Sequence, residues 1–178
     1  MKRLTTPRLE LREWKLEDAP DMFAYASLPT VGPAAGWPVH QSLEESETII
    51  RRFIQSDDTW AVVLKSENKV IGSVGLHEKT DLKGHVEREL GYVLSTPYEG
   101  HGLMTEACRA VIAYAFDELK CARLRVYHFI ANEKSRRVIE KCGFVYEHDV
   151  DYTTHDGQIR QSKGYFLNPD IFNQRRTT

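Results

Sequence analysis

Cysteine is scarce in this sequence of 178 residues, and the three present, Cys108, Cys121 and Cys142, show no C-x-x-C spacing. An odd, unpaired set argues against a disulfide framework or a cysteine zinc site and fits a reducing compartment. No apolar run approaches the ~20 residues needed to span a bilayer. Residues 1–7 are basic but lack the apolar stretch of a signal peptide, so a cytoplasmic protein with no membrane partner is expected. Charge of one sign is lacking too. The formal net charge of −2 leaves no global basic field to hold nucleic acid directly. Internal repeats, low-complexity tracts and linkers are absent, so residues 1–178 are expected to form a single domain. What remains, 41% hydrophobic and 28% charged, is the balance of a folded chain able to bury one core.

Residues 8–14 alternate, with Leu9, Leu11 and Glu13 sharing one face of a half-buried strand. Residues 18–28 read as a short helix closed by Pro29. Residues 29–38, with Gly32, Pro33, Gly36 and Pro38, read as an irregular loop around Trp37. Ser42-Leu-Glu-Glu45 matches the capping box and starts a helix carrying Leu43, Ile49, Ile50, Phe53 and Ile54. Strands follow at 60–64, 70–77 and 88–94, separated by polar turns at 67–69 and 81–84. The longest helix spans 103–119, and its apolar positions 107, 108, 111, 112, 115, 116 and 119 repeat as one face. A strand at 123–130, a helix from Asn132 to a stop at Gly143, and strands at 144–150 and 159–167 joined across Asp156-Gly157 complete the chain. The order β-α-α-β-β-β-α-β-α-β-β implies an α/β domain with a mixed sheet.

The most informative stretch runs from Glu89 to Ala107: a strand ends, a loop with Gly100 and Gly102 follows, and the long helix begins. Glycine lets a backbone approach a ligand closely, and the first N–H groups of a helix point forward unpaired. With the helix dipole they suit a pyrophosphate. The loop is no P-loop, since Gly102 precedes Leu-Met-Thr without the lysine. Nor is it a dinucleotide fingerprint, which needs a third glycine early in a wound sheet.

Several segments in order extend the pattern: Thr6-Pro-Arg-Leu-Glu-Leu-Arg12, Gly36-Trp37-Pro38, Glu89-Leu-Gly-Tyr-Val-Leu94, Gly100-His-Gly-Leu-Met-Thr-Glu-Ala107, Asn132-Glu-Lys-Ser135-Arg-Arg and Glu140-Lys-Cys-Gly-Phe144. Together they resemble the GNAT superfamily of N-acetyltransferases, in its RimJ/RimL-type branch of ribosomal-protein N-terminal acetyltransferases. The resemblance implies an α/β GNAT-type acyl-CoA N-acyltransferase fold, a strongly twisted mixed sheet flanked by helices. It implies acetyl-CoA as co-substrate, no metal, and direct transfer to a primary amine. The expected partner is an amine acceptor, a protein N-terminus or a small amine such as an aminoglycoside or polyamine. A homodimer is left open, and so is a non-catalytic acyl-CoA sensor.

The same resemblance assigns Tyr92, Val93 and Leu94 to the pantetheine arm, on a strand splayed from its neighbour at 123–130. It assigns Gly100, His101, Gly102, Leu103, Met104 and Thr105 to the pyrophosphate. Glu99 departs from the family's Gln/Arg and Met104 from its small residue, while the main-chain donors are unaffected. Asn132 matches a cofactor-contacting asparagine and also suits a helix cap. Ser135 is the candidate donor to the departing thiolate; the tyrosine used by many relatives further along this helix is Ile139 here. Glu89 is either the carboxylate that takes the amine's proton or an ordinary solvated strand residue. Glu147, Asp151 and Asp156 are weaker candidates. His128 reads as a half-buried strand histidine, the residues 147–156 with His148 and His155 as a polar hairpin, and Trp37 as either a wall of the acceptor pocket or a surface anchor.

Overall fold

A two-residue strand, β1 (Leu4–Thr5), leads into β2 (Leu9–Arg12), where Leu9 and Leu11 are fully buried as the alternation predicts. The strand stops before Glu13, and Trp14 enters the core in its place. The computed structural model describes residues 1–80, 86–154 and 156–176; the turn expected at 81–84 and His155 lie outside them. Helix α1 (Ala19–Ala26) has proline in its first turn, and α2 (Gly32–Ala35) occupies part of the expected irregular loop. Helix α3 (Leu43–Ser56) starts at the expected cap: Ser42 Oγ accepts from the Glu45 N–H at 3.3 Å. The Glu45 carboxylate reaches one residue further back than a capping box requires, accepting from the Gln41 N–H at 2.7 Å.

Strands β3 (Thr59–Leu64), β4 (Lys69–Thr80) and β5 (Val86–Leu94) form an antiparallel meander. Helix α4 (Leu103–Asp117) buries Ala107, Cys108, Val111, Ile112, Ala115 and Phe116, the predicted stripe. It ends before Leu119, which is exposed, because the chain turns away to reach β6 (Leu124–Phe129). Helix α5 (Glu133–Lys141) is followed after its Cys142 cap by Gly143, whose φ of +89° supplies the left-handed stop that glycine adopts without strain. Strands β7 (Val145–Thr153) and β8 (Ile159–Leu167) form a hairpin, and α6 (Pro169–Arg176) closes the described chain.

Among the described residues, eight strands join one sheet in the order β1-β2-β3-β4-β5-β6-β8-β7. Every pairing is antiparallel except β5 with β6, the two strands that α4 connects. Side chains of opposite parity feed two cores. One, around Leu9, Leu11, Val74, Leu76, Leu90, Leu124 and Val126, is covered by α4 and α5. The other, around Trp14, Tyr25, Ile50, Ala61 and Val63, is covered by α1 and α3. No helix among the described residues is long and apolar enough to cross a membrane.

Candidate active site

The single parallel pairing among the described residues is short. β5 and β6 are in register only at Arg88–Leu124 and Glu89–Arg125, and the ladder goes no further. The Arg88 N–H donates to the Arg123 carbonyl at 3.2 Å, while the Ser95 N–H donates to Ile71 on β4 at 2.8 Å. Because successive main-chain groups point to opposite sides of a strand, Leu90, Tyr92 and Leu94 direct theirs to the β6 side, beyond the end of the ladder. Val93, grouped with them in the sequence, turns its main chain to β4, where it lies opposite Ser73.

Past β5 the chain makes a short 3-10 turn at Thr96–Tyr98 and then the glycine loop. Gly100 and Gly102 have φ of +82° and +75°, a region costly for other residues. Nothing lies within 4 Å of a Cβ built at Gly100, and only Arg8 Nη2, at 3.8 Å, near one at Gly102. The first helical bond of α4 runs from the Glu106 N–H to the Gly102 carbonyl at 3.0 Å. The N–H groups of Leu103, Met104 and Thr105 therefore precede any intrahelical acceptor and face forward. The Leu103 and Met104 side chains are buried in the core, so only their main chain serves the loop.

Charges flank this loop in pairs that the sequence did not disclose. Glu99 forms an ion pair with Lys134 of α5. Arg8 Nε donates to Glu106 Oε2 at 2.7 Å, and Arg8 Nη1 to the His101 carbonyl at 2.9 Å. Burial pushes the Glu106 carboxyl up, but hydrogen bonds from Thr6 and Arg8 outweigh it and hold the group below the usual carboxylate range. A shallow groove of about 620 Å3 adjoins the loop, lined by Arg8, Gly102, Thr105, Glu106, Arg109 and Lys141 among others. Tyr92, Ser135 and Glu89 are not in its lining.

On the side of β5 that faces α5, Tyr92 Oη lies 2.9 Å from Ser135 Oγ and donates to the Ser135 carbonyl at 3.1 Å. Burial raises the Tyr92 hydroxyl well above its ordinary value, so it stays protonated as a donor. Tyr92 and Ser135 were each singled out from sequence, but their pairing was not, since the two are 43 residues apart. Ile139, further along the same helix, is fully packed in the core. Asn132 is the cap of α5: its Oδ1 accepts from the Ser135 N–H at 3.0 Å, and its Nδ2 donates to the Ala34 carbonyl at 3.2 Å.

Opposite parity places a different set on the other face of β5. Glu89 is half-buried, with Oε2 3.9 Å from Lys79 Nζ. Trp37 packs on Gly32 and joins Val93 at the edge of the second core, so it lies on this face as well. The segment around α2 bridges the wide end of the splay. Thr30 Oγ1 lies 2.8 Å from Thr96 Oγ1 after β5, while Arg160 Nη1 donates to the Pro33 carbonyl at 3.0 Å from β8. His128 is buried, not half-buried, because Nδ1 engages the Phe129 carbonyl at 2.8 Å and Nε2 the Tyr165 hydroxyl at 3.2 Å. Glu147 is held by Arg123 at 2.5 Å, and Asp149 lies 3.7 Å from Lys163. Asp156 caps its own turn through Thr154.

Comparison with known proteins bears on this arrangement. The family model described as an acetyltransferase (GNAT) domain matches residues 8–145. The Bacillus subtilis protein YdaF, provisionally named a ribosomal N-acetyltransferase, is 37% identical over 81 residues, covering 46% of this chain and 43% of that protein. The alignment thus spans less than half the length of that relative. Among solved structures, a GNAT-family acetyltransferase from Bacillus anthracis superimposes with a TM-score of 0.85 at 24% identity, over 95% of this chain and 99% of that one. The ribosomal-protein-S5-alanine acetyltransferase from Vibrio fischeri gives 0.75 at 22% identity, over 96% and 98% of the two chains. These two likenesses speak to the fold.

Proposed function

Because the chain belongs to the GNAT acetyltransferase family, we propose that it transfers the acetyl group of acetyl-CoA to a primary amine, and that its preferred acceptor is the N-terminal α-amine of a protein or peptide. The observation that carries this reading is the splay of β5 from β6 leading straight into a positive-φ glycine loop and a forward-facing helix start. Those features fit the elongated, amide-bearing and pyrophosphate-bearing shape of the co-substrate. Tyr92 and Leu94 offer main-chain partners to its arm. Gly100 to Thr105 offer N–H groups to its phosphates, with the helix dipole adding to the attraction. An N–H aimed into the splay also suits the developing oxyanion of acyl transfer. The Tyr92–Ser135 hydroxyl pair supports a role for Ser135 as hydrogen-bond donor to the departing thiolate.

The acceptor side supports an α-amine. Its reference pKa of about 7.7–8.0 leaves part of it unprotonated at neutral pH, whereas lysine, at about 10.4, demands roughly 3–4 kcal/mol more for deprotonation. A modest base such as Glu89, or water, suffices for the former. The names of YdaF and of the Vibrio fischeri enzyme point to ribosomal-protein acceptors in those proteins and support the same class here. Trp37 stands beside this face and would contact the first side chains of an extended N-terminus. The test is competition between an N-terminal peptide library and spermidine, with thiol release and modified sites followed by mass spectrometry. Preferential acetylation of spermidine or of lysine side chains would overturn the acceptor assignment. Tight acetyl-CoA binding without thiol release would overturn the enzyme reading.

A further inference from the structure

A second polar constellation lies on the acceptor face of the sheet, assembled from three segments. Asp58, in the link between α3 and β3, places Oδ2 2.7 Å from His77 Nδ1 on β4. Asp58 is itself fixed by the Ser56 hydroxyl at 2.7 Å and the Thr59 hydroxyl at 2.9 Å, both on Oδ1. Burial pushes the Asp58 carboxyl up, but the hydrogen bonds from His77, Ser56 and Thr59 bring it below its ordinary range, so it is a carboxylate. A carboxylate at Nδ1 selects the Nδ1–H tautomer of a neutral imidazole and leaves Nε2 with a free lone pair.

The position of Nε2 follows from two glycines. His77 pairs with Glu89 across β4 and β5, and the next pair along the same face is Gly75 with Gly91. The imidazole folds back over that bare pair. A Cβ on Gly75 would overlap Nε2, and one on Gly91 would stand 3.7 Å from it. The ring therefore leans along β5 toward Tyr92, the residue whose main chain faces the splay. The His77 side chain is 39% exposed, which leaves it reachable from solution.

We propose that His77, oriented by Asp58, accepts the proton of the attacking amine. The inference rests on the acetyltransferase reading and goes beyond it by naming the group that does the proton chemistry. An ammonium above Gly91 gives one proton to Nε2. The freed lone pair forms the N–C bond, the C–S electron pair leaves with sulfur, and sulfur takes the second proton that nitrogen sheds. Imidazolium then returns its proton to solvent. Glu89, directly opposite His77, is a carboxylate side chain on the same face and suits an incoming ammonium. Asp58 acts as a positioning residue. Among the described residues, the charged and titratable groups around the ring are Asp58 from the α3–β3 link, Glu89 from β5, Lys79 on β4 beside Glu89, and Tyr152 of β7 beside Glu89.

Three measurements on the full chain test this. Nitrogen-15 NMR of the imidazole, assigned with His77→Gln, is expected to show the Nδ1–H tautomer, and Asp58→Ala to shift it toward Nε2–H. For a peptide with a free seryl or alanyl N-terminus, kcat/KM of the wild type is expected to fall as pH drops and the base is protonated. His77→Gln should lose on the order of 100-fold in rate together with that acidic limb, since general bases contribute about 10²–10⁴. Asp58→Ala should lose on the order of 10-fold and keep the limb. Acetyl-CoA affinity by calorimetry should be unchanged in both variants. A full rate and an intact limb in His77→Gln, loss of the limb in Glu89→Gln instead, or an Nε2–H tautomer in the wild type would each overturn the assignment. A wild type that fails to bind acetyl-CoA would overturn the acetyltransferase reading itself, and one that binds it without turning over any acceptor would overturn both.

Discussion

Two faces of one strand, β5, carry opposite chemistries. Leu90, Tyr92 and Leu94 turn toward α4 and α5 and belong to an apolar core, broken only by the Tyr92 hydroxyl that meets Ser135. Glu87, Glu89 and Gly91 turn the other way, two of them charged and one without a side chain. Period-two alternation thus separates the side suited to the co-substrate's thiol from the side suited to the amine's proton, with a single thickness of backbone between them.

Stability should separate the faces most sharply. Leu90→Ala removes a side chain only 3% exposed and is expected to cost about 2–5 kcal/mol in urea denaturation. Glu89→Gln, on the half-buried polar face, should change stability by no more than about 0.5 kcal/mol. Equal losses would break the contrast. Next in size, Gly102→Val forces a branched residue into φ +75° where a phosphate would approach. Backbone strain of about 1–3 kcal/mol and the crowded N–H groups should weaken acetyl-CoA binding on the order of 10-fold or more by calorimetry. Acceptor KM should be left alone.

Ser135→Ala comes third. Losing one hydrogen bond to developing charge should lower turnover on the order of 10-fold with acetyl-CoA affinity retained, because the thiolate forms late. Unchanged rates would return Ser135 to the first turn of α5 as a merely structural residue. The smallest effect belongs to Glu106. Its folded carboxyl titrates below the ordinary value, so its partners Thr6 and Arg8 stabilise the fold above about pH 4.3, and that contribution is lost as pH falls through the folded value. Melting temperature between about pH 6 and 3 should fall more for wild type than for Glu106→Gln.

Local pattern carried much of this molecule. The α4 stripe is an i, i+3, i+4 repeat, the Ser42 cap is a four-residue signature, and Gly143 marks a helix end, so each was legible from neighbours in the chain. Leu119 was misplaced because periodicity does not say where a helix must stop to reach the next strand. α2 escaped because glycine and proline punctuate short helices as readily as loops. Within the site, the loop and Ser135 stood out as motifs. Tyr92 against Ser135, Glu99 against Lys134 and Asp58 against His77 are products of strand register and helix packing, which no single window of sequence contains. Cancellation of the Glu99 charge by Lys134 also explains how a glutamate is accommodated beside a loop suited to phosphates.

The brevity of the β5–β6 ladder gives the molecule a mechanical character. Two residue pairs join a five-stranded blade to a three-stranded one, and everything beyond Glu89 fans outward from that short seam. The Leu90, Tyr92 and Leu94 side of β5 is therefore an edge strand concealed inside a sheet, the kind of surface that elsewhere invites an extended chain to add itself. An acyl-CoA whose amides pair with that edge would act as a length of missing strand, fastening one blade to the other. Catalysis would then begin with the substrate finishing the sheet, and product release would require unfastening it.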